Sequence, residues 1–472
     1  MNLKAISYYL SLLCFPLSIL AFINILYSSY FDYFLNIDSY TITMLISLFL
    51  GIGFYFFGKT ASKKIDFIEQ LLLIVLSYLT ISFLISIPYY LSNYQIPFIN
   101  ALFEGFSGVT GTGFTIFDNI KYLDPTLILW RSSSQWIGGL YFLIFLILLF
   151  SNKQFTFKLN YLAHNSDGNI NSVNNIKNII LKIFLIYLAS SILIFILLTL
   201  TGVRLYNSLN LGMTLVSAGG FLPTNLLSQI INNNVQQAVL AFSFLLSMLN
   251  FFMIFNLFDK KKITKEHNED FALVITSSIF IIILLIFIKD IGIFNIILGS
   301  LSSLSSSGLA IIKIPDNLSL YFLMLALIGG SIISNSSGIK FIRIYILLKS
   351  TMAEILRLVR PNNILNLNIL NTEKKINNDN IKDSFLVFIS FFISLFILSG
   401  VLILDDMNFE NSFKLSILTL TNTVNSELYG ISSLNFANLL TSSKISLIIF
   451  MIIGKIELIS VFLIIKKLFF KN

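Results

Sequence analysis

In four stretches of this 472-residue chain a short apolar run leads directly into residues rich in Gly, Ser, Thr or Asn. The first reads Ala101-Leu-Phe-Glu-Gly-Phe-Ser-Gly-Val-Thr-Gly-Thr-Gly-Phe-Thr115. The second ends Val216-Ser-Ala-Gly-Gly-Phe221, and the third ends Leu304-Ser-Ser-Ser-Gly-Leu309. The fourth, Leu420-Thr-Asn-Thr-Val-Asn-Ser-Glu-Leu-Tyr-Gly430, lacks glycine where the others have it. Such stretches suit one kind of chemistry. A short helix aims the partial negative charge of its C-terminus at a cation. Backbone carbonyls beyond it replace the ion's hydration shell, and glycine reaches the angles this requires without steric cost. One such stretch alone would read as an ordinary turn after a helix. Recurrence at equivalent places favours an ion path.

The elements that must hold these stretches are membrane helices. The chain is 56% hydrophobic and 11% charged, with 47 phenylalanines, against about 25% charged in a soluble domain. Apolar runs fall at 5–27, 41–58, 67–89, 126–150, 178–201, 236–258, 271–288, 317–348, 385–404 and 443–465, each near the ~20 residues a spanning helix needs. The first is too long for a signal-peptide core and reads as a retained helix. Between some of them lie segments too short to cross, near 97–110, 206–218, 294–307 and 411–424. The predicted fold is an all-α membrane protein of ten transmembrane helices. Two N-terminal helices (1–66) precede four pseudo-repeats of helix, pore loop and helix around one central pore. The repeats span 67–152, 178–258, 270–350 and 384–468, a period of roughly 80 residues.

The net charge of +8 follows topology rather than nucleic acid. Lys and Arg crowd into 59–66, 151–182, 259–267, 340–383 and 466–472, while 28–40 and 221–235 hold none. This is the positive-inside bias; it puts both termini in the cytoplasm, with the short loops dipping in from outside. The connectors 159–177 and 361–383, rich in Asn, Lys and Asp, read as solvated loops. One cysteine, Cys14, excludes an internal disulfide. Two histidines, His164 and His267, in polar stretches leave little material for metal chemistry or acid–base catalysis. No nucleophile–base pair or phosphate loop is visible, so an enzyme is disfavoured. A proton- or sodium-driven secondary transporter would place its site between inverted repeats, whereas these repeats run parallel.

Other residues admit two readings. Within 317–348, Gly329-Gly-Ser-Ile-Ile-Ser-Asn-Ser-Ser-Gly-Ile-Lys340 could break a helix beside a cavity or pack a close helix crossing. Lys455 lies in the last span, where a charge is a functional candidate, or it snorkels or pairs elsewhere. Glu104 on the first pore helix could brace its loop by hydrogen bonds or draw cations to the mouth. Asp405, Asp406 and Glu410 could do the latter or form a plain solvated turn. Lys182 and Asp66 sit at helix ends and reach the interface.

These residues together resemble the superfamily of potassium transporters that includes the bacterial Trk and Ktr membrane subunits, of the TrkH/KtrB kind. Glu104, Ser107, Gly108, Thr110, Thr112, Gly113 and Thr115 match its first filter. Trp130-Arg-Ser-Ser-Ser-Gln-Trp-Ile-Gly-Gly139 matches the start of the next helix, 329–340 with Arg343 its interrupted helix, and Gly454-Lys-Ile-Glu457 a motif of its last helix. The resemblance implies potassium uptake across the inner (plasma) membrane, with K+ as the transported ion and no organic cofactor. It implies a filter of Thr110, Gly111, Thr112, Gly113, Ser217, Ala218, Gly219, Ser306, Ser307, Gly308, Val424 and Asn425, with glycines at Gly113, Gly219 and Gly308 and Asn425 in the fourth place. It implies a gate of Gly330, Ser334, Asn335, Ser336, Ser337, Gly338 and Lys455, the last standing for the family's arginine below the filter. A homodimer and a cytoplasmic nucleotide-binding regulatory subunit of the TrkA/KtrA kind are also implied. The departure at Asn425 suggests a weakly selective or sodium-dependent monovalent cation transporter as the alternative.

Overall fold

A computed structural model describes residues 2–61, 65–150, 173–256, 267–288, 291–313, 315–360, 368, 376–431 and 434–456. The chain is all-helical over these residues. In chain order the helices are α1 (Leu3–Tyr30), α2 (Ile37–Gly58), α3 (Phe67–Tyr90), α4 (Phe98–Thr110), α5 (Pro125–Phe150), α6 (Val173–Leu200), α7 (Leu205–Val216) and α8 (Asn234–Met248). They continue as α9 (Phe251–Asn256), α10 (Asn268–Phe287), α11 (Ile293–Leu304), α12 (Ser319–Ile328), α13 (Phe341–Val359), α14 (Asn378–Leu404), α15 (Phe409–Leu420) and α16 (Thr441–Ile456). Seven of them, α1, α2, α3, α5, α6, α10 and α14, are long and apolar enough to cross a bilayer. The chain is a multi-pass membrane protein. Most of the connectors 159–177 and 361–383, His164 and Glu457 lie outside the described residues.

α1 and α2 form a hairpin in which the small residues Gly51 and Gly58 of α2 approach Cys14 and the Tyr8 backbone of α1, as helix contacts in lipid favour. Ser11 and Ser18 hydroxyls donate to the Tyr8 and Phe15 carbonyls of their own helix, at 2.6 and 2.7 Å, so neither is unsatisfied in hydrocarbon. Leu45, Phe49, Ile52 and Phe56 on α2 are exposed, on the side a bilayer covers.

Beyond α2 the order of long helix, short helix, loop and return helix occurs four times. The short helices α4, α7, α11 and α15 have 13, 12, 12 and 12 residues, about 18–20 Å of rise, well under the ~30 Å of a hydrocarbon core. Each follows a residue in the same extended conformation: Pro97, Arg204, Gly292 and Asn408 have φ of −55°, −57°, −56° and −57° with ψ of 143°, 138°, 139° and 142°. α5 packs on α7, α8 on α11, α12 on α15 and α16 on α4. Each return helix therefore leans on the next short helix, and the last closes on the first. Phe436 tightens that closure, stacking on Phe114 and Phe103 with centroids 4.7 and 5.6 Å apart.

The expected span 236–258 is not continuous. It breaks between α8 and α9, where Asn250 N–H donates to Asp270 Oδ1 at 2.9 Å and Asn250 Oδ1 caps Phe252 N–H at 2.9 Å. The freed backbone pairs with the interruption of the next return helix: Ser331 N–H donates to Met248 O (2.9 Å) and Phe251 N–H to Ile333 O (3.2 Å). The span 317–348 breaks at 329–340, between α12 and α13, as its composition suggests. His267, expected in a polar loop, instead precedes α10 with its ring buried, Nδ1 2.9 Å from Asp270 Oδ2.

Two glycines carry the closest helix approaches. A Cβ on Gly138 of α5 would lie 2.1 Å from Val109 O, and one on Gly454 of α16 would lie 2.3 Å from Leu420 O. Gly138→Ala is expected to cost about 1–3 kcal/mol by overpacking, read as a lower unfolding midpoint of the purified protein. Gly53→Ala, with nothing within 4 Å, should leave that midpoint in place; equal midpoints for both variants would contradict the packing described.

Candidate ion path

The four short helices end in loops that share one backbone device. A left-handed residue follows each helix: Gly111 (φ 79°), Ala218 (55°), Ser306 (62°) and Asn422 (47°). Only the first is glycine. The others hold a conformation that costs an L-residue roughly 1–2 kcal/mol, which the surrounding hydrogen bonds must sustain. In the first loop Gly113 N–H donates to Ser107 O (3.3 Å) and the Ser107 hydroxyl to Phe114 O (2.6 Å). The third loop repeats both bonds, Gly308 N–H to Ser302 O (3.1 Å) and the Ser302 hydroxyl to Leu309 O (2.9 Å). The second and fourth share another pattern: Gly219 N–H donates to Thr214 O and Thr423 N–H to Leu418 O, each at 2.9 Å.

Counting from the left-handed residue sets the register. Thr112, Gly219, Ser307 and Thr423 come next, then Gly113, Gly220, Gly308 and Val424. The expected set aligned Gly219 and Asn425 with Gly113 and Gly308; in this register Gly220 and Val424 stand there. Gly219 and Gly220 are adjacent and the fourth loop has no glycine at this place, so glycine alone does not fix the register of either loop. Asn425 turns away, its Nδ2 donating to Ile431 O at 2.9 Å. The loops meet at this level. A Cβ on Gly113 would lie 2.8 Å from Gly220 Cα, and one on Gly308 would lie 2.8 Å from Val424 O.

Hydroxyl pairs flank the left-handed residue in three loops. Thr110 and Thr112 are 2.8 Å apart, Ser305 and Ser307 3.2 Å, and Thr421 and Thr423 2.9 Å. In the second loop Ser217 faces Gly219 across the same interval. Asn422 Nδ2 donates to Thr112 Oγ1 (3.0 Å) and to Met451 O (2.9 Å), tying the fourth loop to the first and to α16. Ser305, Thr421, Asn422 and Thr423 are absent from the expected site; the hydroxyl spacing of two residues is the signal for three of them.

α5 braces the first two loops. Arg131 Nε donates to Glu104 Oε1 at 2.8 Å in a fully buried pair, and Nη2 donates to Thr115 Oγ1 at 3.0 Å. Glu104 also accepts from Thr115 Oγ1 (3.0 Å) and Ile116 N–H (2.9 Å). The guanidinium lies 4.3 Å from the Phe221 ring centroid. Gln135 Oε1 accepts from Phe221 N–H at 3.1 Å. Glu104 is thus a brace and not a mouth charge. Two of the carboxylates expected near the mouth, Asp405 and Glu410, are engaged as well. Glu410 pairs with Lys414 at 2.6 Å. Asp405 accepts from the Ser442 and Ser443 hydroxyls, which hold its carboxyl below the usual range.

The segment 329–340 lies against the starts of the second and third loops. Asn335 Nδ2 donates to Val216 O (2.8 Å), and Ser337 N–H donates to Ser306 Oγ (3.1 Å). Lys455 Nζ donates to Asn335 O (3.2 Å) and Ser337 Oγ (3.3 Å) and lies 4.4 Å from the Phe142 ring centroid. A Cβ on Gly111 would be 3.7 Å from that Nζ, so Lys455 sits just beneath the first loop. Within the segment, Gly330 N–H donates to Ser336 Oγ (2.9 Å), Ser334 and Ser336 hydroxyls are 2.7 Å apart, and Lys340 Nζ reaches Ser331 O and Ser334 O at 3.2 and 3.3 Å. Gly338 packs on Gly329 at the neck, where Ile339 N–H donates to Leu327 O at 3.0 Å. Glu269 of α10 accepts from Ile332 N–H at 2.9 Å. A small cavity of about 20 Å³ lies beside the segment, lined by Phe142, Ser337, Gly338, Lys340, Arg343 and Lys455 among others. Non-helical backbone and hydroxyls gathered at membrane depth suit a partly dehydrated monovalent cation.

Residues 37–470 match the family described as TrkH, cation transport protein. The chain is 29% identical to an uncharacterized cation transporter of Methanocaldococcus jannaschii, over 91% of this chain and 90% of that one. It is 25% identical to the Trk system potassium uptake protein TrkG of Escherichia coli, over 91% of each. Its fold matches the crystal structure of the potassium transporter TrkH from Vibrio parahaemolyticus with a TM-score of 0.88, at 19% identity and over the full length of both chains.

Proposed function

Because the chain belongs to the TrkH family of cation transport proteins, we propose that it takes up potassium through the junction of its four loops. The observation that carries this reading is the convergence of four helix-ending, left-handed loops at one level, each following a helix too short to span. The names of its relatives, Trk system potassium uptake proteins in Escherichia coli and Salmonella typhimurium, support the choice of ion. In this reading ten spans form two leading helices and four pseudo-repeats around one pore, in the inner membrane with both termini cytoplasmic. The filter is the set Thr110–Gly113, Ser217–Gly220, Ser305–Gly308 and Thr421–Val424. The gate is the segment from Gly330 to Gly338, held by Lys455 and Asn335 against the inner face of the filter. A homodimer works with a cytoplasmic nucleotide-binding subunit that pulls on this segment. Glu269 at the start of α10, bonded to Ile332 N–H, is a route for that pull. The fourth loop, with valine where the others have glycine, favours weak discrimination among monovalent cations as the second reading.

Growth of a potassium-uptake-deficient bacterium on limiting potassium tests this, with and without a nucleotide-binding subunit, while rubidium and sodium uptake are followed. Rescue with rubidium exceeding sodium entry is expected. Comparable sodium entry would select the second reading, and no uptake by an inserted protein would overturn both.

A further inference from the structure

We propose that the side chain of Val424 crosses the ion path and sets both its throughput and its choice of ion; this rests on the pore reading above. The helix order supplies the first premise. α5 leans on α7, α8 on α11, α12 on α15 and α16 on α4, so the four loops succeed one another around a centre, and the second and fourth stand opposite. The contacts of Val424 supply the second. A Cβ built on Gly220, in the opposite loop, would lie 2.3 Å from Val424 Cβ and 2.8 and 3.0 Å from its two methyl carbons. Such a Cβ is one bond, about 1.5 Å, from Gly220 Cα, so the valine Cβ is within about 3.8 Å of that Cα, which is van der Waals contact. A Cβ on Gly308, in the adjacent loop, would lie 3.2 Å from Val424 Cγ1. A side chain that touches both a neighbouring loop and the opposite one lies over the centre.

The chemical consequence follows. Gly113, Gly220 and Gly308 present bare backbone at this level, and an ion there would be held by carbonyls. The valine isopropyl group offers no ligand and fills the space a cation needs. Its β-branch leaves few rotamers, so passage requires the fourth loop to shift. Discrimination is then set by three loops and a moving fourth, and flux is limited by that movement. Asn425 has no such part, since its amide is engaged with Ile431 O.

Rubidium and sodium uptake by Val424→Gly, Val424→Ala and Val424→Leu test this at matched membrane levels. The expected order of rubidium flux is Gly over Ala over wild type, with a several-fold gain for Val424→Gly, a higher rubidium-to-sodium ratio, and loss of flux for Val424→Leu. Fluxes and ratios equal to wild type across the series would overturn the proposal. A second measurement does not rely on the glycine variant folding. The single cysteine, Cys14, is buried on α1, so Val424→Cys in a Cys14→Ser background presents one thiol at the filter. A positively charged methanethiosulfonate added outside is expected to stop rubidium uptake in that variant and not in Cys14→Ser alone; uptake untouched by the reagent would overturn the placement. A wild-type protein that moves no monovalent cation would instead defeat the transport reading, whatever residue 424 does.

Discussion

Arg131→Ala is expected to abolish rubidium uptake and to cost about 3–5 kcal/mol of stability, because it strands a buried carboxylate. Glu104 is fully buried on α4, and Arg131 of α5 is the cation that meets it, at 2.8 Å. The pair also fixes what surrounds it. Glu104 holds Thr115 and Ile116 N–H just past the first loop, and Arg131 reaches Thr115 and the face of Phe221 in the second. Removing the guanidinium therefore frees two loops from one scaffold at once. The double variant Arg131→Met with Glu104→Gln keeps the volume and removes the stranded charge. Its unfolding midpoint should recover most of the loss, since a buried ion pair exchanged for neutral groups is often close to neutral. Uptake should not recover with it, because a thioether side chain cannot hold Thr115 or stack on Phe221 as the guanidinium does. An Arg131→Ala protein that melts and transports like wild type would refute the brace.

The spans are legible because lipid imposes a simple demand, an apolar run with every backbone group satisfied inside it. Runs such as 67–89 and 385–404 appear as α3 and α14 nearly end to end. The short helices are legible from the same logic, being apolar yet too short to cross. What stays hidden lies in side chains that meet across distance. Asn250 breaks the run 236–258, and its only local mark is that asparagine favours helix caps; the decisive partner, Asp270, is 20 residues away. The pairing of Glu104 with Arg131 likewise needs α4 and α5 folded together. The loop register is lost for a different reason. Glycine is the usual marker of positive φ, yet Ala218, Ser306 and Asn422 occupy that conformation. Local backbone hydrogen bonds from the loop back to the preceding helix, such as Thr423 N–H to Leu418 O, outweigh the residue preference there. The segment 329–340 is the best-signalled part of the site, because small polar residues have few other reasons to interrupt an apolar run.

Lys455→Ala is expected to raise cation leak in the absence of any regulatory subunit by roughly tenfold to a hundredfold. Lys455 is buried at the base of the first loop, and its Nζ donates to Asn335 O and Ser337 Oγ of the segment 329–340, the proposed gate. A hydrogen bond from a charged group contributes about 1.5–3 kcal/mol, and about 1.4 kcal/mol is a tenfold change in a two-state population. If the segment gates as proposed, losing these bonds shifts it away from the closed arrangement by that factor. The charge acts in the same direction, since an ammonium beneath the filter repels an arriving cation. Two further variants separate the contributions. Lys455→Met keeps most of the volume and removes charge and donor together, so it should leak like the alanine variant. Lys455→Arg keeps the charge and offers more donors, so it should remain as tight as wild type. Asn335 bears on the other side of the same clasp. Its Nδ2 holds Val216 O at the end of α7 while its carbonyl accepts from Lys455, so the segment is pinned between the second loop and the last helix. Asn335→Ala keeps the carbonyl and loses the amide, and should leak less than Lys455→Ala. Efflux of rubidium from loaded vesicles containing each purified variant decides the matter. A leak that is the same for Lys455→Ala and wild type would remove Lys455 from the gate and leave its burial without a function.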